Sequence, residues 1–298
     1  MDINLDLLRP VELSDRPRFV EMLKIMQTQS CECAFANIFM YRDAYGMEFL
    51  DLGDCLVVFE RKERAIHYPI GHWTSPEDLK LISDTFMKAG LTDGGIYDVP
   101  EEFLDRYPDC APLFEIEYDE GAIDYLYSIE KLANCTGQKL RKKNNLIKQF
   151  QAEWPHAEVR KLTKDDVNVV RSLAKALNNQ AVRCQFLIEE EEAMEYAWQH
   201  FDEMELGGII LYAENNYPAG FSVFSYISDD TVDIHFEKAD HSVKGAAQTL
   251  TRLVALELRG KARFMNREQD MNEAGLRHAK RSLDPERFFK RYFLRTSL

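Results

Sequence analysis

The sequence predicts an α+β fold in which helices cover mixed sheets, arranged as two consecutive halves. Short β-patterned runs joined by tight polar turns favour antiparallel pairing, and amphipathic helical runs alternate with them. One strand-to-helix pattern also occurs twice. The first copy runs Leu8-Arg9-Pro10-Val11, then Ser14-Asp15, then the apolar positions Phe19, Val20 and Leu23. The second starts 151 residues later with Val159-Arg160-Lys161-Leu162, then Asp165-Asp166, then Val169, Val170 and Leu173. Each copy reads as a strand, an Asp-containing cap and an amphipathic helix. The expected division puts residues 1–123 in an N-terminal half and residues 124–298 in a basic helix plus a C-terminal half.

The elements follow in order. Residues 55–68 read as a hairpin, with Leu56-Val57-Val58-Phe59, a polar turn, and Ala65-Ile66-His67-Tyr68. Ser75-Pro76-Glu77-Asp78 is a helix start, with Ser as cap, Pro in the first helical position and acids in the first turn. Residues 136–154 predict a helix whose apolar face holds Leu140, Ile147, Phe150 and Trp154. A three-strand meander is expected over residues 209–213, 221–227 and 232–236, joined by Asn215-Asn216 and Asp229-Asp230 turns. A helix over 249–258, a strand at Phe264-Met265 and a helix over 273–281 complete the chain.

Composition narrows the class. At 45% apolar and 30% charged residues, the chain is an ordinary globular protein rather than a disordered one. No run approaches the ~18 consecutive apolar residues needed to span a membrane. Residues 1–10 carry Asp2 and Asp6 with no basic segment, so no secretory leader is expected. The six cysteines form no framework, which predicts free thiols in a cytoplasmic protein. No second Cys/His pair lies near Cys31-x-Cys33, so no metal site is expected.

The net charge of −14 conceals segregation. Lys139, Arg141, Lys142, Lys143 and Lys148 lie in a stretch without acids, and from Arg259 onward eleven basic residues face five acidic ones. Clustered cations on an acidic body focus the field where a polyanion could bind, although two solvated amphipathic faces also fit. Lys143 falls inside the apolar stripe of its helix and Lys139 at its edge. Either the ammonium of Lys143 reaches an anion in a cleft or its stem snorkels along apolar surface.

Strict alternation along residues 231–238 puts Val232, Ile234 and Phe236 on one face, with Asp233, His235 and Glu237 on the other. A carboxylate–imidazole–carboxylate face either meets solvent or lines a polar cleft, where His235 or Glu237 could accept a proton. The following loop holds Lys244, Gly245 and Ala246 and opens into a helix. Free N–H groups at such a start suit a pyrophosphate. Asn266-Arg267-Glu268-Gln269-Asp270 packs hydrogen-bonding groups directly after a short strand, as active-site loops do, and a salt-bridged surface loop has the same composition.

Several of these blocks resemble a known family. Asp124-Tyr125-Leu126-Tyr127, Gly137-Gln138-Lys139 through Lys143-Asn144-Asn145, Ile234 to Asp240, and Asn266 to Asp270 with Gly275-Leu276-Arg277 and Lys280 look like the signature blocks of the DUF2156 family. Ser30, Phe35-Ala36-Asn37 and Tyr41-Arg42 look like its N-terminal block. That family is similar to the C-terminal region of phosphatidylglycerol lysyltransferases. The resemblance implies two tandem GNAT-type acyl-CoA N-acyltransferase folds, as in the Fem aminoacyltransferases. It further implies acyl or aminoacyl transfer to an amine or hydroxyl, from a CoA thioester or an aminoacyl-tRNA. In that scheme Glu237 or His235 assists proton removal. Lys139, Lys143, Asn266, Arg267, Glu268, Asp270, Arg277 and Lys280 contact the substrate, and Lys244, Gly245 and Ala246 hold the cofactor pyrophosphate. A catalytically silent protein that keeps the fold and binds a nucleotide, a peptide or another small anion is the alternative.

Overall fold

The computed structural model describes residues 3–179 and 184–296. The first half contains β1 (Arg9–Pro10), α1 (Arg16–Met26), α2 (Phe35–Met40), α3 (Arg42–Tyr45), β2 (Met47–Asp51), β3 (Cys55–Glu60), β4 (Ala65–His67), β5 (Ile70–Gly71), α4 (Pro76–Lys88), β6 (Gly95–Pro100), α5 (Glu101–Arg106) and β7 (Phe114–Tyr118). There follow β8 (Asp124–Ser128), α6 (Ile129–Asn134), α7 (Arg141–Glu153), β9 (Glu158–Lys161), α8 (Val167–Asn178), α9 (Gln185–Gln199), β10 (Gly207–Tyr212), β11 (Pro218–Tyr226) and β12 (Thr231–Ala239). The chain closes with α10 (Ala246–Leu258), β13 (Phe264–Asn266), α11 (Ala274–Arg281), β14 (Arg287–Phe289) and β15 (Arg291–Thr296).

Local chemistry accounts for many of these boundaries. The Oγ of Ser75 accepts the Asp78 N–H and Pro76 opens α4, as the sequence predicts. The hairpin of β3 and β4 and the meander of β10, β11 and β12 are antiparallel, also as predicted. The basic helix is shorter than expected. It begins at Arg141 rather than near 136, because left-handed Cys135 ends α6 and Gly137 holds φ at 106°.

The repeated pattern is real local structure. Before α1, the side chains of Glu12 and Asp15 bond reciprocally to each other's backbone N–H groups, and Thr163 and Asp166 do the same before α8. The helices then start at Arg16 and Val167, residues that preserve the same spacing. The two sheets share one plan. The first runs β1-β2-β3-β4-β6-β15-β7, with β5 beside β3, and the second runs β9-β10-β11-β12-β13-β8-β14. Neighbours are antiparallel throughout, except β4 with β6 and β12 with β13, which are parallel and joined by the crossover helices α4 and α10. This is a tandem arrangement of two GNAT-like halves.

The halves also trade a strand. β8 follows β7 but enters the second sheet, while β15 follows β14 and returns to the first at the corresponding place. A continuous core reinforces that exchange. Phe19, Phe35 and Phe39 from the first half join Trp198, Phe221 and Phe236 from the second. Burial of large aromatic side chains across the seam disfavours separation of the halves. All six cysteines are free. Among the described residues, no helix is long and apolar enough to cross a membrane.

Candidate active site between the halves

A cavity of about 390 Å³ opens between the halves, near the carboxyl ends of β4 and β13. Open α/β sheets commonly bind ligands outside the carboxyl ends of parallel strands. His67, Ile38, Tyr41 and Met47 approach from the first half, and His235, Glu237, Glu268 and Lys280 from the second.

The predicted alternation along β12 breaks at His235. Val223 pairs with Phe236 and Phe224 with Ile234, so His235 is the extra residue of a β-bulge. Val232 and Ile234 pack into the core beneath α10, whereas Phe236 joins the core containing Trp198. Asp233 and His235 remain together at 3.4 Å, while Glu237 turns toward α10 and accepts from the Thr251 hydroxyl at 2.6 Å. The carboxylate–imidazole–carboxylate face is therefore split, because the bulge restarts the two-residue period. β12 is also interior to its sheet, so this is not a solvated edge.

His235 does not have the properties of a base. Its Nδ1 bonds the Asn37 Oδ1 at 2.7 Å and its Nε2 bonds the Ser225 Oγ at 2.8 Å. Burial pushes its pKa down to about 3, so the ring is neutral with both nitrogens engaged. The Asn37 Nδ2 in turn donates to Asp233 at 2.9 Å and to Glu268 at 3.2 Å. Asp233, His235 and Glu268 present ligand atoms within 4.8 Å of one another, a spacing suited to a metal ion. The Asn37 amide already bonds all three.

The loop after β13 is held from several sides. Glu268, Met271 and Asn272 all adopt left-handed φ values. Buried Asn266 donates to Asp124 at 2.8 Å and to the Gln29 carbonyl at 2.7 Å, and accepts the Glu268 N–H. The Lys280 ammonium donates to the carbonyls of Arg267 and Gln269. Asp270 accepts two bonds from Arg277, at 2.7 and 2.8 Å, and one from the Tyr125 hydroxyl. The Arg277 guanidinium thereby lowers the Asp270 pKa to about 2. Asn266, Asp270, Arg277 and Lys280 thus brace the loop, and of these only Lys280 lines the cavity. Burial raises the Glu268 pKa, nearby Lys280 opposes it, and the balance lies at about 8.

A second cleft, of about 630 Å³, lies over the start of α10 and is lined by Lys143, His241, Ala247, Gln248 and Thr251. Burial lowers the Lys143 pKa, and no ion pair holds this lysine among the described residues. Gly245 caps α10 at φ 81°, and a Cβ there would lie 2.4 Å from the Leu146 carbonyl oxygen. Only glycine lets this helix start approach α7 so closely. Gly245 and Ala246 are buried, exposed Lys244 lies off the cleft lining, and Lys139 is exposed and paired with Asp284 at 3.0 Å.

Glu237 and Arg267 line both cavities and form a 2.9 Å ion pair between them. The second oxygen of Glu237 is buried without a hydrogen-bond partner. Sequence reasoning put Asp233 on the polar face of β12 without giving it a role, and left Asn37 and His67 out of the site. Asn37 stood within the N-terminal resembling block, but no local pattern could pair it with β12. Burial opposes charge on His67, yet the hydrogen bonds its ring donates to Asp98 and Glu60 outweigh it and raise its pKa to about 10.

The structure is similar to a conserved protein of unknown function from Bacteroides thetaiotaomicron, at 24% identity over 97% of this chain and 99% of that one, with a TM-score of 0.88. The lysylphosphatidylglycerol synthetase C-terminal domain (DUF2156) from Agrobacterium fabrum, described as putative, is 12% identical over 95% and 93% of the chains, with a TM-score of 0.62. L-PGS from Bacillus licheniformis is 12% identical over 90% and 92%, with a TM-score of 0.61. At these identities the likeness establishes the fold. No curated protein matches the sequence. The model of the C-terminal phosphatidylglycerol lysyltransferase family matches residues 23–295, and the chain belongs to that family, also known as DUF2156.

Proposed function

We propose that the protein transfers an acyl or aminoacyl group, with the donor in the α10 cleft and the acceptor in the cavity between the halves. The observation that carries this reading is Glu237, which borders both spaces and has one buried oxygen free to accept a proton. A donor phosphate would meet the Lys143 ammonium and the α10 N-terminus. The acceptor amine or hydroxyl attacks the acyl carbon. Its proton passes to Glu237, the new C–N or C–O bond forms, and the bond to the donor's sulfur or ribose oxygen breaks. The leaving atom takes a proton from solvent. Arg267 holds the other Glu237 oxygen, fixing the base beside the reacting atoms. His235 acts here as a positioning residue, orienting Asn37.

The donor is a CoA thioester or an aminoacyl-tRNA, and thermal shift separates them because a ligand that binds only the folded state raises Tm. The expected result is a rise with one donor that Lys143→Met reduces, with affinity weakened by about 1–3 kcal/mol. Glu237→Gln should bind the donor yet lose transfer by about 10²-fold or more. If neither donor shifts Tm, the transfer reading fails and the silent binding protein replaces it.

A further inference from the structure

A sheet edge is a row of unpaired backbone groups, and proteins protect such edges in recognisable ways. Among the described residues, the two sheets end in β1, β7, β9 and β14. Three of these are protected against pairing with themselves. β1 is Arg9-Pro10, and proline has no N–H to donate. β14 is only three residues long. β7 carries Glu115 and Glu117, so two-fold pairing of this strand with itself sets glutamate against glutamate. β9, Glu158-Val159-Arg160-Lys161, differs. All four residues are exposed, Val159 by 46%. The Leu162 N–H donates to the Gly208 carbonyl at 2.9 Å, in register with Arg160 opposite Ile210. Bonding alternates along an antiparallel strand. Arg160 therefore turns its backbone groups toward β10, while Val159 and Lys161 turn theirs outward.

We propose that β9 is a self-association edge: a second copy of this chain lays its own β9 antiparallel to it, about a two-fold axis at Val159. In that register each Val159 donates its N–H to the carbonyl of the other. Each Lys161 N–H reaches the Ala157 carbonyl of the second copy. The Ala157 N–H is not needed, since it already bonds the Trp154 carbonyl at 3.1 Å. Val159 packs on Val159, and Glu158 lies opposite Arg160 of the second copy on both sides of the axis. Within one chain these two side chains already pair at 2.7 Å, so the contact across the seam extends an existing ion pair. Centring the axis on Glu158 or Arg160 instead would oppose that residue to itself, which selects the Val159 register. Both α8 helices then lie on one face of the joined sheet. The grooves of about 670 Å³ that Arg160 shares with Val169, Leu173 and Tyr212 flank the seam. β9 lines neither the cavity between the halves nor the α10 cleft, so this pairing is independent of the transfer reading.

The test is sedimentation velocity of the full chain from about 1 μM to about 1 mM, the range in which small interfaces associate. The expected result is a reversible monomer–dimer equilibrium. Val159→Pro removes the outward N–H and leaves the ladder with β10 intact, so the variant should be folded by circular dichroism and monomeric. Glu158→Arg and Arg160→Glu each set like charges opposite one another on both sides of the axis. Either should raise the dimer dissociation constant roughly tenfold or more. The double variant restores opposite charges and should recover the wild-type constant. A chain that stays monomeric over the whole range overturns the proposal, and so does a dimer that survives in folded Val159→Pro protein. If Val159→Pro fails to fold, the charge cycle decides: a double variant no tighter than the singles overturns the pairing.

Discussion

Arg291 offers the most direct test of how the halves are joined. Its side chain is 3% exposed and donates to Asp98 of β6 at 2.7 Å and to Asp124 of β8 at 2.9 Å, while also bonding the Ala122 carbonyl. One guanidinium on the exchanged strand therefore ties both sheets. Arg291→Met preserves much of the stem and removes the charge, leaving Asp98, Asp124 and Glu32 facing one another. Breaking a buried ion pair from one side costs about 3–5 kcal/mol. The lower end applies if the survivors are well supported, since Asp124 retains bonds from Asn266 and the Cys31 N–H and Asp98 retains His67. Urea unfolding followed by circular dichroism should show the loss. At a slope of about 3 kcal/mol per molar, the midpoint falls by about 1–1.7 M. Adding Asp124→Asn should recover part of it, because one uncompensated charge disappears. A midpoint drop below about 0.3 M would refute the latch and assign the joining of the halves to apolar packing alone.

Two further outcomes follow from the site geometry. Gly245→Ala should lower Tm by an amount equivalent to about 1–3 kcal/mol and weaken donor binding, because the new methyl meets the Leu146 carbonyl and φ is left-handed. Unchanged stability would mean that α7 shifts freely. The two cavity histidines should titrate in opposite directions by NMR: His67 stays protonated until pH approaches about 10, and His235 stays neutral until pH falls to about 3. For His67 the folded pKa lies above the ordinary ~6.5. Its contribution to stability is therefore complete below about pH 6.5 and is lost as pH rises toward 10. Ordinary titration of either ring near 6.5 would contradict the hydrogen bonds assigned to it.

Much of the fold was legible because its signals are local. The Ser75 cap, the meander turns and the paired strand–cap–helix units are encoded by residues a few positions apart, and the structure reproduces them. Lys143 was legible as an inward cation for the same reason, since helical periodicity alone sets its face. The roles of Arg277 and Asp270 were not, because a residue's type shows that it can bind an anion but not that a neighbour already occupies it.

By itself, the sequence determined the α+β class, the tandem repeat, the charge segregation and the family resemblance. The tertiary structure alone decided three things: the exchange of β8 and β15, the bulge that parts His235 from Glu237, and the meeting of Asn37 with Asp233 and Glu268. Each depends on partners some tens to hundreds of residues apart. A strand's periodicity names its faces only while its register is unbroken, and register is set by the neighbour across the sheet.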